Sequence, residues 1–164
     1  MKSTDKLLLG IVLGVVLLIV IVFSVMLLKP KPSFQSEDSP DGVAHNYLLA
    51  LQQEDYDRAY SYLSTSLPGY PDNAEAFRQN VADYSWRFRL GQEVTLAIES
   101  AETLNSRAVV TVLETRFYQS GAFEGSQRIS TFEIDLELDG NQWKIVDSDS
   151  YFAWCWDDED GCRQ

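Results

Sequence analysis

The sequence is poor in histidine and cysteine. Its 164 residues include one histidine, His45, and two cysteines, Cys155 and Cys162. Two cysteines without histidine partners make a poor zinc site, because structural zinc takes four such ligands. We therefore expect no metal and no cofactor. No cysteine directly follows the N-terminal apolar run, which argues against a bacterial lipoprotein anchor.

Basic residues are also scarce. The chain has 13 Lys and Arg against 25 Asp and Glu, a net charge of −12. Residues 1–32 hold four Lys and one Asp, so residues 33–164 carry 9 basic against 24 acidic side chains, or −15. A domain this acidic is repelled by nucleic acid and by anionic lipid. The composition excludes nucleic-acid binding and favours a place outside the cytoplasm.

One long apolar run, Leu7–Leu28, contains no charge and a single polar side chain, Ser24. As a helix its 22 residues would extend about 33 Å, against about 30 Å for the hydrocarbon core of a bilayer. A cleaved signal peptide is the rival interpretation. Its apolar core is usually shorter, and Lys29-Pro30-Lys31-Pro32 is not a small-residue cleavage site. We predict an uncleaved signal anchor in the cell membrane.

The flanks of the anchor determine its direction only weakly. Lys2 and Lys6 precede it and Lys29 and Lys31 follow it, so the positive-inside rule favours one orientation only by a small margin. Within the anchor, Gly10 and Gly14 have the spacing of a helix-dimerisation motif, so homodimer formation is one option. The predicted order is a basic tail (1–6), the anchor (7–28), a linker (29–38), a folded domain (39–150) and a C-terminal segment (151–164).

Helical periodicity occupies the first part of the domain. Ser39-Pro40 is a helix start, and a second helix is predicted from Glu54. Asp72 with Glu75 resembles a capping box for a third helix. The apolar positions of the three helices are Val43, Tyr47, Ala50 and Leu51, then Tyr56, Ala59, Tyr60 and Leu63, then Ala76, Phe77, Val81 and Tyr84.

After Tyr84 the apolar period changes from 3.6 to 2, which predicts about five strands. The first is Trp86 to Leu90 and the second contains Val94, Leu96 and Ile98. The central strand is Arg107 to Tyr118, followed by a loop from Ser120 to Ser126. In the next strand Phe132, Ile134, Leu136 and Leu138 face one way, and Asp139-Gly140-Asn141 turns the chain into Trp143–Val146.

The segments Tyr47–Leu51, Asp55–Ser64 and Asp139–Asp147 resemble the nuclear transport factor two and ketosteroid isomerase superfamily, above all its bacterial, membrane-tethered members. The resemblance covers about Ser39 to Asp147. It implies an α+β, cone-like domain: three helices packed on a curved, mostly antiparallel sheet, following the N-terminal transmembrane helix. It also implies a pocket between the sheet and the helices, which holds acid and base groups in the enzymatic members.

Few residues qualify as such groups. On its helix, His45 points about 200° away from the buried Tyr47. Glu114 and Arg116 share a strand face with Tyr118, and we interpret them as a surface ion pair across the sheet. The alternative is a polar pair inside a cavity. We predict no catalytic residue.

Aromatic residues are the better candidates for ligand binding, because rings with a few hydroxyl groups suit a small organic molecule or a partner's side chain. Ordinary core packing is the alternative. The candidates are Tyr47, Tyr60, Trp86, Phe88, Tyr118 and Trp143.

The C-terminal segment combines aromatic residues, Tyr151, Phe152, Trp154 and Trp156, with the acidic run 157–160. We expect it to pack back on the domain rather than to dock on a partner. An even cysteine pair in an exported domain favours a disulfide between Cys155 and Cys162, with two free thiols as the alternative.

These features predict a single-pass, non-catalytic protein whose extracytoplasmic domain binds a protein partner or a small hydrophobic ligand. A scaffold of an envelope complex is the more specific version, by analogy with the inner-membrane scaffold of type IV secretion systems. The rival is a small-molecule isomerase, dehydratase or cyclase of the ketosteroid isomerase type.

Overall fold

The computed structural model describes residues 3–28, 32–89, 93–119 and 125–162. The chain divides into two units, Met1–Pro32 and Ser33–Gln164, and each is described by itself.

The first unit consists of helix α1, Ser3–Leu28. Side chains are described for residues 10–24, and the large apolar ones between Ile11 and Phe23 are 50 to 69% exposed. No helix within the described residues is long and apolar enough to cross a membrane. The predicted anchor also includes the side chains of residues 7–9 and 25–28, which lie outside the description, as do residues 1, 2 and 29–31 of its flanks.

Four helices open the second unit: α2 Pro40–Gln52, α3 Tyr56–Ser61, α4 Ala74–Asp83 and α5 Ser85–Phe88. The predicted start of α2 is confirmed, with Pro40 in its first turn. The α3 start is capped by Asp55, whose side chain accepts from the Arg58 backbone N–H at 3.2 Å. The cap of α4 is Asn73 and not Asp72, because the Asn73 amide oxygen accepts from Ala76 N at 2.9 Å.

The first predicted strand was wrong, because helix α5 occupies most of this segment. The segment alternates aromatic and basic residues, which is typical of a strand. A single helical turn of four residues, however, also places Trp86 and Phe88 on opposite sides. Phe88 is fully buried against Trp156, whereas Trp86 is 66% exposed. Arg89 ends the turn in the left-handed conformation, with φ of 50°. Leu90 lies outside the described residues.

Within the described residues the sheet has four antiparallel strands in the order β1-β2-β3-β4, one fewer than predicted. They are β1 Val94–Leu104, β2 Arg107–Gln119, β3 Gly125–Asp139 and β4 Gln142–Ser148. Gly140, with φ of +61°, makes the turn into β4. Of the predicted loop, residues 120–124 lie outside the description, and 125 and 126 belong to β3.

The sheet buries one face against the helices. Its buried side chains include Ala108, Val110, Val112 and Glu114 on β2, Phe132, Ile134 and Leu136 on β3, and Trp143 and Ile145 on β4. Leu138, predicted to face the same way, is 38% exposed. Segment 62–64 pairs with the free side of β4, because Ser64 N donates to Ile145 O at 2.8 Å and Ile145 N donates to Tyr62 O at 2.9 Å. The α+β prediction is therefore confirmed, with helices on an antiparallel sheet.

The C-terminal segment packs back on the domain, as predicted. Trp156 is fully buried, stacks on Phe77 at 5.1 Å between ring centroids, and donates from Nε1 to Asn80 Oδ1 at 3.0 Å. The predicted Cys155–Cys162 disulfide is also present, with 4.9 Å between the Cα atoms.

Part of the predicted linker is also fixed to the domain. The buried Asn46 amide donates to Gln35 O at 3.0 Å and accepts from Gln35 N at 2.7 Å. The Arg58 guanidinium lies 3.5 Å from the Phe34 ring centroid and forms an ion pair with Glu37 at 3.2 Å. A buried amide on α2 needs hydrogen-bond partners, and residues 33–38 supply them.

Replacing both cysteines with serine is expected to lower the free energy of unfolding by about 2 kcal/mol, because the disulfide closes a short loop in the unfolded chain. The two cysteines are seven residues apart. The measurement is urea unfolding of the full chain in uncharged detergent, with and without a thiol reductant. The reductant should destabilise the wild type and leave the double variant unchanged. Equal stability of variant and wild type would contradict this role for the disulfide.

Candidate functional site

A buried carboxylate lies at the centre of the candidate site. Glu114 is on β2 in the same phase as Val110 and Val112, so the strand directs its side chain to the buried face. The residue is 1% exposed. A carboxylate removed from water in this way is tolerated only when hydrogen-bond donors and positive charge surround it.

Four donors surround the Glu114 carboxylate. Oε2 accepts from Arg89 Nη1 at 2.9 Å, from Arg116 Nη2 at 2.8 Å and from Ser130 Oγ at 3.3 Å. Oε1 accepts from the Tyr151 hydroxyl at 2.7 Å. The donors come from the end of α5, from β2, from β3 and from the turn after β4. The cluster therefore ties together four separate parts of the domain.

Two of these donors have strained backbones. Four non-glycine residues in the described chain have positive φ, and two of them are Arg89 at 50° and Tyr151 at 61°. Such conformations persist only where surrounding contacts enforce them, and they concentrate at functional sites. The residues on either side of Tyr151 are held by Arg87, whose Nε donates to Phe152 O at 2.8 Å and whose Nη2 donates to Asp149 O at 3.0 Å.

A cavity of about 300 Å³ opens beside the carboxylate. The residues of its wall that matter for charge and shape are Arg89, Glu114, Arg116, Arg128, Phe132 and Asp149. Three guanidinium groups thus face two carboxylates, a local excess of one positive charge. The rest of the domain is strongly acidic, so this cavity is an exception to its surroundings.

Two arginines of the wall keep unused donors. Arg116 Nε is buried and no described group accepts its hydrogen. A buried donor without a partner typically costs about 1–3 kcal/mol. Arg128 lies directly opposite Arg116 in the register of β2 and β3, its side chain is exposed, and no described residue forms an ion pair with it. The two side chains share one face of the sheet, where like charges directly opposite are destabilising.

The surroundings of Tyr151 keep its hydroxyl protonated. Burial raises the pKa of Tyr151 well above its ordinary value, and the hydrogen bond and negative charge of Glu114 raise this pKa further. Tyr151 therefore remains a neutral donor at ordinary pH. Three of the four hydrogen bonds to the Glu114 carboxylate end on Oε2 and one ends on Oε1, so its orientation is fixed.

The six aromatic residues predicted for ligand binding do not line this cavity. Tyr47 and Phe88 belong to the core, and the Tyr47 hydroxyl donates to Tyr151 O at 2.5 Å. Tyr60 is half-buried and stacks on Tyr70. Trp143 is nearly buried and borders a different cavity, near Tyr62 and Lys144. Trp86 and Tyr118 are exposed. Their role in ligand binding stays a prediction.

His45 lies away from the cavity. Its ring is half-exposed on α2, and its Nε2 lies 3.2 Å from Ser33 O. No group of three or more His, Cys, Asp or Glu side chains in the described part of the chain is placed to hold a metal ion.

The interpretation of Glu114 and Arg116 as a surface ion pair was wrong. Their side chains are 1% and 17% exposed, both are on β2, and both face the cavity. The signal was available, because Glu114 continues the buried phase of Ala108, Val110 and Val112. Sequence reasoning also missed Arg89, Arg128, Ser130, Asp149 and Tyr151, and for these the sequence contains no comparable signal.

Comparison with solved structures gives remote similarities. A SEC-C motif containing protein from Rhodopseudomonas palustris matches with a TM-score of 0.49 and 11% identity, over 71% of this chain and 81% of its own. An NTF-2 like protein of unknown function from Shewanella oneidensis has 0.43 and 13%, over 65% and 90%. An ntf2-like protein with a cystatin-like fold from Novosphingobium aromaticivorans has 0.46 and 10%, over 66% and 75%.

Several of the matched structures are described as NTF2-like or cystatin-like proteins. No protein-family model matches the chain, and no curated protein matches it significantly. At these identities and TM-scores, no functional property passes from those proteins to this chain.

Proposed function

We propose that this protein is a single-pass membrane protein whose domain lies outside the cytoplasm and binds a small ligand in the Glu114 cavity without transforming it. One observation carries the ligand site: a cavity whose wall combines a buried, four-fold hydrogen-bonded carboxylate with a buried Arg116 Nε that no described group satisfies. A ligand acceptor in the cavity would complete that donor.

The chemistry of the cluster supports binding more than catalysis. General acid or base groups need a free lone pair or a proton that leaves near the working pH. The Glu114 oxygens are engaged by Arg89, Arg116, Ser130 and Tyr151. Tyr151 keeps its proton, since burial raises its pKa. Arg89 and Tyr151 keep a strained backbone conformation in which their side chains donate to Glu114.

The anchor is supported by sequence and by exposure. Leu7–Leu28 is an uncharged run of 22 residues, and the apolar side chains described within it are at least half exposed. A contiguous apolar surface of this size is typical of a membrane or protein contact. A domain of net charge −15 with a disulfide between Cys155 and Cys162 fits the outer side of the membrane.

Placing two arginines in the run, Val16→Arg with Ile19→Arg, is expected to remove the protein from membranes, because each central charge costs about 2.5–3.5 kcal/mol of insertion free energy. The measurement is the fraction of protein that resists alkaline carbonate extraction. The matched control, Val16→Leu with Ile19→Leu, should remain in the membrane. Accessibility of a C-terminal tag to protease on intact cells tests the outward orientation. A wild-type protein extracted by carbonate would overturn the anchor.

The ligand site is tested by thermal unfolding of the full chain in uncharged detergent against a library of charged and uncharged small molecules. We expect at least one compound to stabilise the wild type and not Arg128→Gln. Arg128 has no described partner, so this variant should fold normally. If no compound of any charge distinguishes the two proteins, the cavity is not a ligand site.

The rival function, an isomerase or dehydratase, is favoured by one observation: a buried carboxylate and a tyrosine hydroxyl meet at 2.7 Å beside a cavity. Turnover of a small carbonyl compound that is abolished in Tyr151→Phe, with the fold intact, would establish it against our proposal.

A further inference from the structure

We infer that the ligand of the Glu114 cavity is a small organic oxyanion, a carboxylate or a phosphate monoester, held between the guanidinium groups of Arg116 and Arg128. This inference rests on the proposed ligand site and specifies its chemistry.

The first argument is the distribution of charge. The Glu114 carboxylate is matched by Arg89 and Arg116, at 2.9 and 2.8 Å. Arg128 forms no ion pair with any described residue, and the described wall of the cavity as a whole has an excess of one positive charge, three arginines against two carboxylates. The domain as a whole is strongly acidic and repels anions. The cavity is therefore more favourable for an anion than the acidic surface around it.

The second argument is the register of the sheet. Arg116 on β2 and Arg128 on β3 are direct antiparallel partners, so their side chains leave the same face at neighbouring positions. Two guanidinium groups in this relation repel each other. An oxyanion between them removes the repulsion and accepts from both, and the planar donor fork of arginine suits carboxylate and phosphate oxygens.

The third argument is the unsatisfied donor. Arg116 donates from Nη2 to Glu114, while its buried Nε has no described acceptor. The cavity is the space beside this group, with a volume of about 300 Å³. Arg116 lines the cavity, so a turn of its guanidinium would present this unpaired donor to an oxygen of the ligand.

The remaining wall limits the ligand. Glu114 and Asp149 are the acidic residues among the described residues of the wall, and they disfavour a second anionic group on the ligand. Phe132 offers an apolar surface beside them. These features fit a compact molecule with one anionic end and a short apolar part.

The experiment uses three probes that each contain six carbon atoms: hexanoate, hexyl phosphate and the uncharged hexanamide. Each is titrated into the full chain in uncharged detergent, and the affinity is taken from the rise of the unfolding temperature and from calorimetry. We expect saturable binding of at least one anion and at least ten-fold weaker binding of hexanamide. In Arg128→Gln the anion affinity should fall at least ten-fold.

The matched control is Arg107→Gln. Arg107 is on β2, the strand that pairs with the β3 strand of Arg128, but it is 80% exposed, pairs with Glu137 at 3.0 Å and does not line the Glu114 cavity, so this variant removes the same charge without changing that cavity. It should bind the anions as the wild type does. Preference for hexanoate or for hexyl phosphate identifies the headgroup.

Three results would overturn the inference: no binding of either anion, equal binding of hexanamide, or equal losses in Arg128→Gln and Arg107→Gln. Hexanamide binding that depends on Arg128 would overturn the oxyanion and leave the proposed ligand site intact. Failure of every compound, charged or uncharged, to distinguish wild type from Arg128→Gln would remove the ligand site itself.

Discussion

Replacing Glu114 with alanine is expected to lower the free energy of unfolding by about 3–5 kcal/mol, because removing one partner of a buried ion pair leaves the other charge uncompensated. In this variant Arg89 and Arg116, whose side chains are 30% and 17% exposed, would face each other without the carboxylate that they share. The Tyr151 hydroxyl would lose its acceptor in a buried position.

The measurement is urea unfolding followed by tryptophan fluorescence on the full chain in uncharged detergent. Glu114→Gln keeps the shape of the side chain and an acceptor oxygen, so its loss should be smaller than that of the alanine variant. The control is Glu137→Gln, which breaks the exposed pair with Arg107 and should change stability by about 0.5 kcal/mol or less. Equal effects of Glu114→Ala and Glu137→Gln would show that the buried cluster does not hold the fold together.

Replacing Trp156 with alanine is expected to cost about 3–5 kcal/mol of stability, the range for truncating a fully buried aromatic side chain. Trp156 contacts the rings of Phe77, Phe88 and Phe152, with centroid distances of 5.1, 5.8 and 5.0 Å. It thereby fixes the C-terminal segment to α4 and α5. The variant leaves a large cavity and an Asn80 amide oxygen without its donor.

Thermal unfolding of three variants tests this prediction. Trp156→Phe keeps part of the ring volume and loses the Nε1 donor, so its loss should be intermediate. Trp154→Ala is the matched control, because Trp154 lies two residues away and is 53% exposed. If Trp156→Ala and Trp154→Ala are equally mild, residues 151–162 are not part of the core.

The local features of the fold were predictable because they depend on neighbouring residues. Pro40 after Ser39 starts a helix wherever it occurs, and the alternation of Phe132, Ile134 and Leu136 fixes which face of β3 is buried. The disulfide followed from an even pair of cysteines close in sequence. Errors arose where a local pattern was ambiguous, as in Trp86–Phe88, where a five-residue alternation is compatible with one turn of helix.

The candidate site was not predictable in the same way. The four donors to Glu114 stand at positions 89, 116, 130 and 151, and only Arg116 is near it in sequence. Their meeting depends on the register of β2 against β3 and on the return of the chain after β4. Arg89 and Tyr151 also require a left-handed backbone, which no residue preference indicates for Arg or Tyr.

The sequence by itself determined the acidic character of the domain and the apolar run before it. It also predicted the α+β class and favoured the pairing of the cysteines, because composition and periodicity act over short stretches of chain. The tertiary structure alone decided that Glu114 is buried, that three arginines face one cavity and that the C-terminal segment supplies Tyr151 to it. The physical reason is that a buried charge is stable only with donors around it, and those donors are brought together by the packing of distant segments.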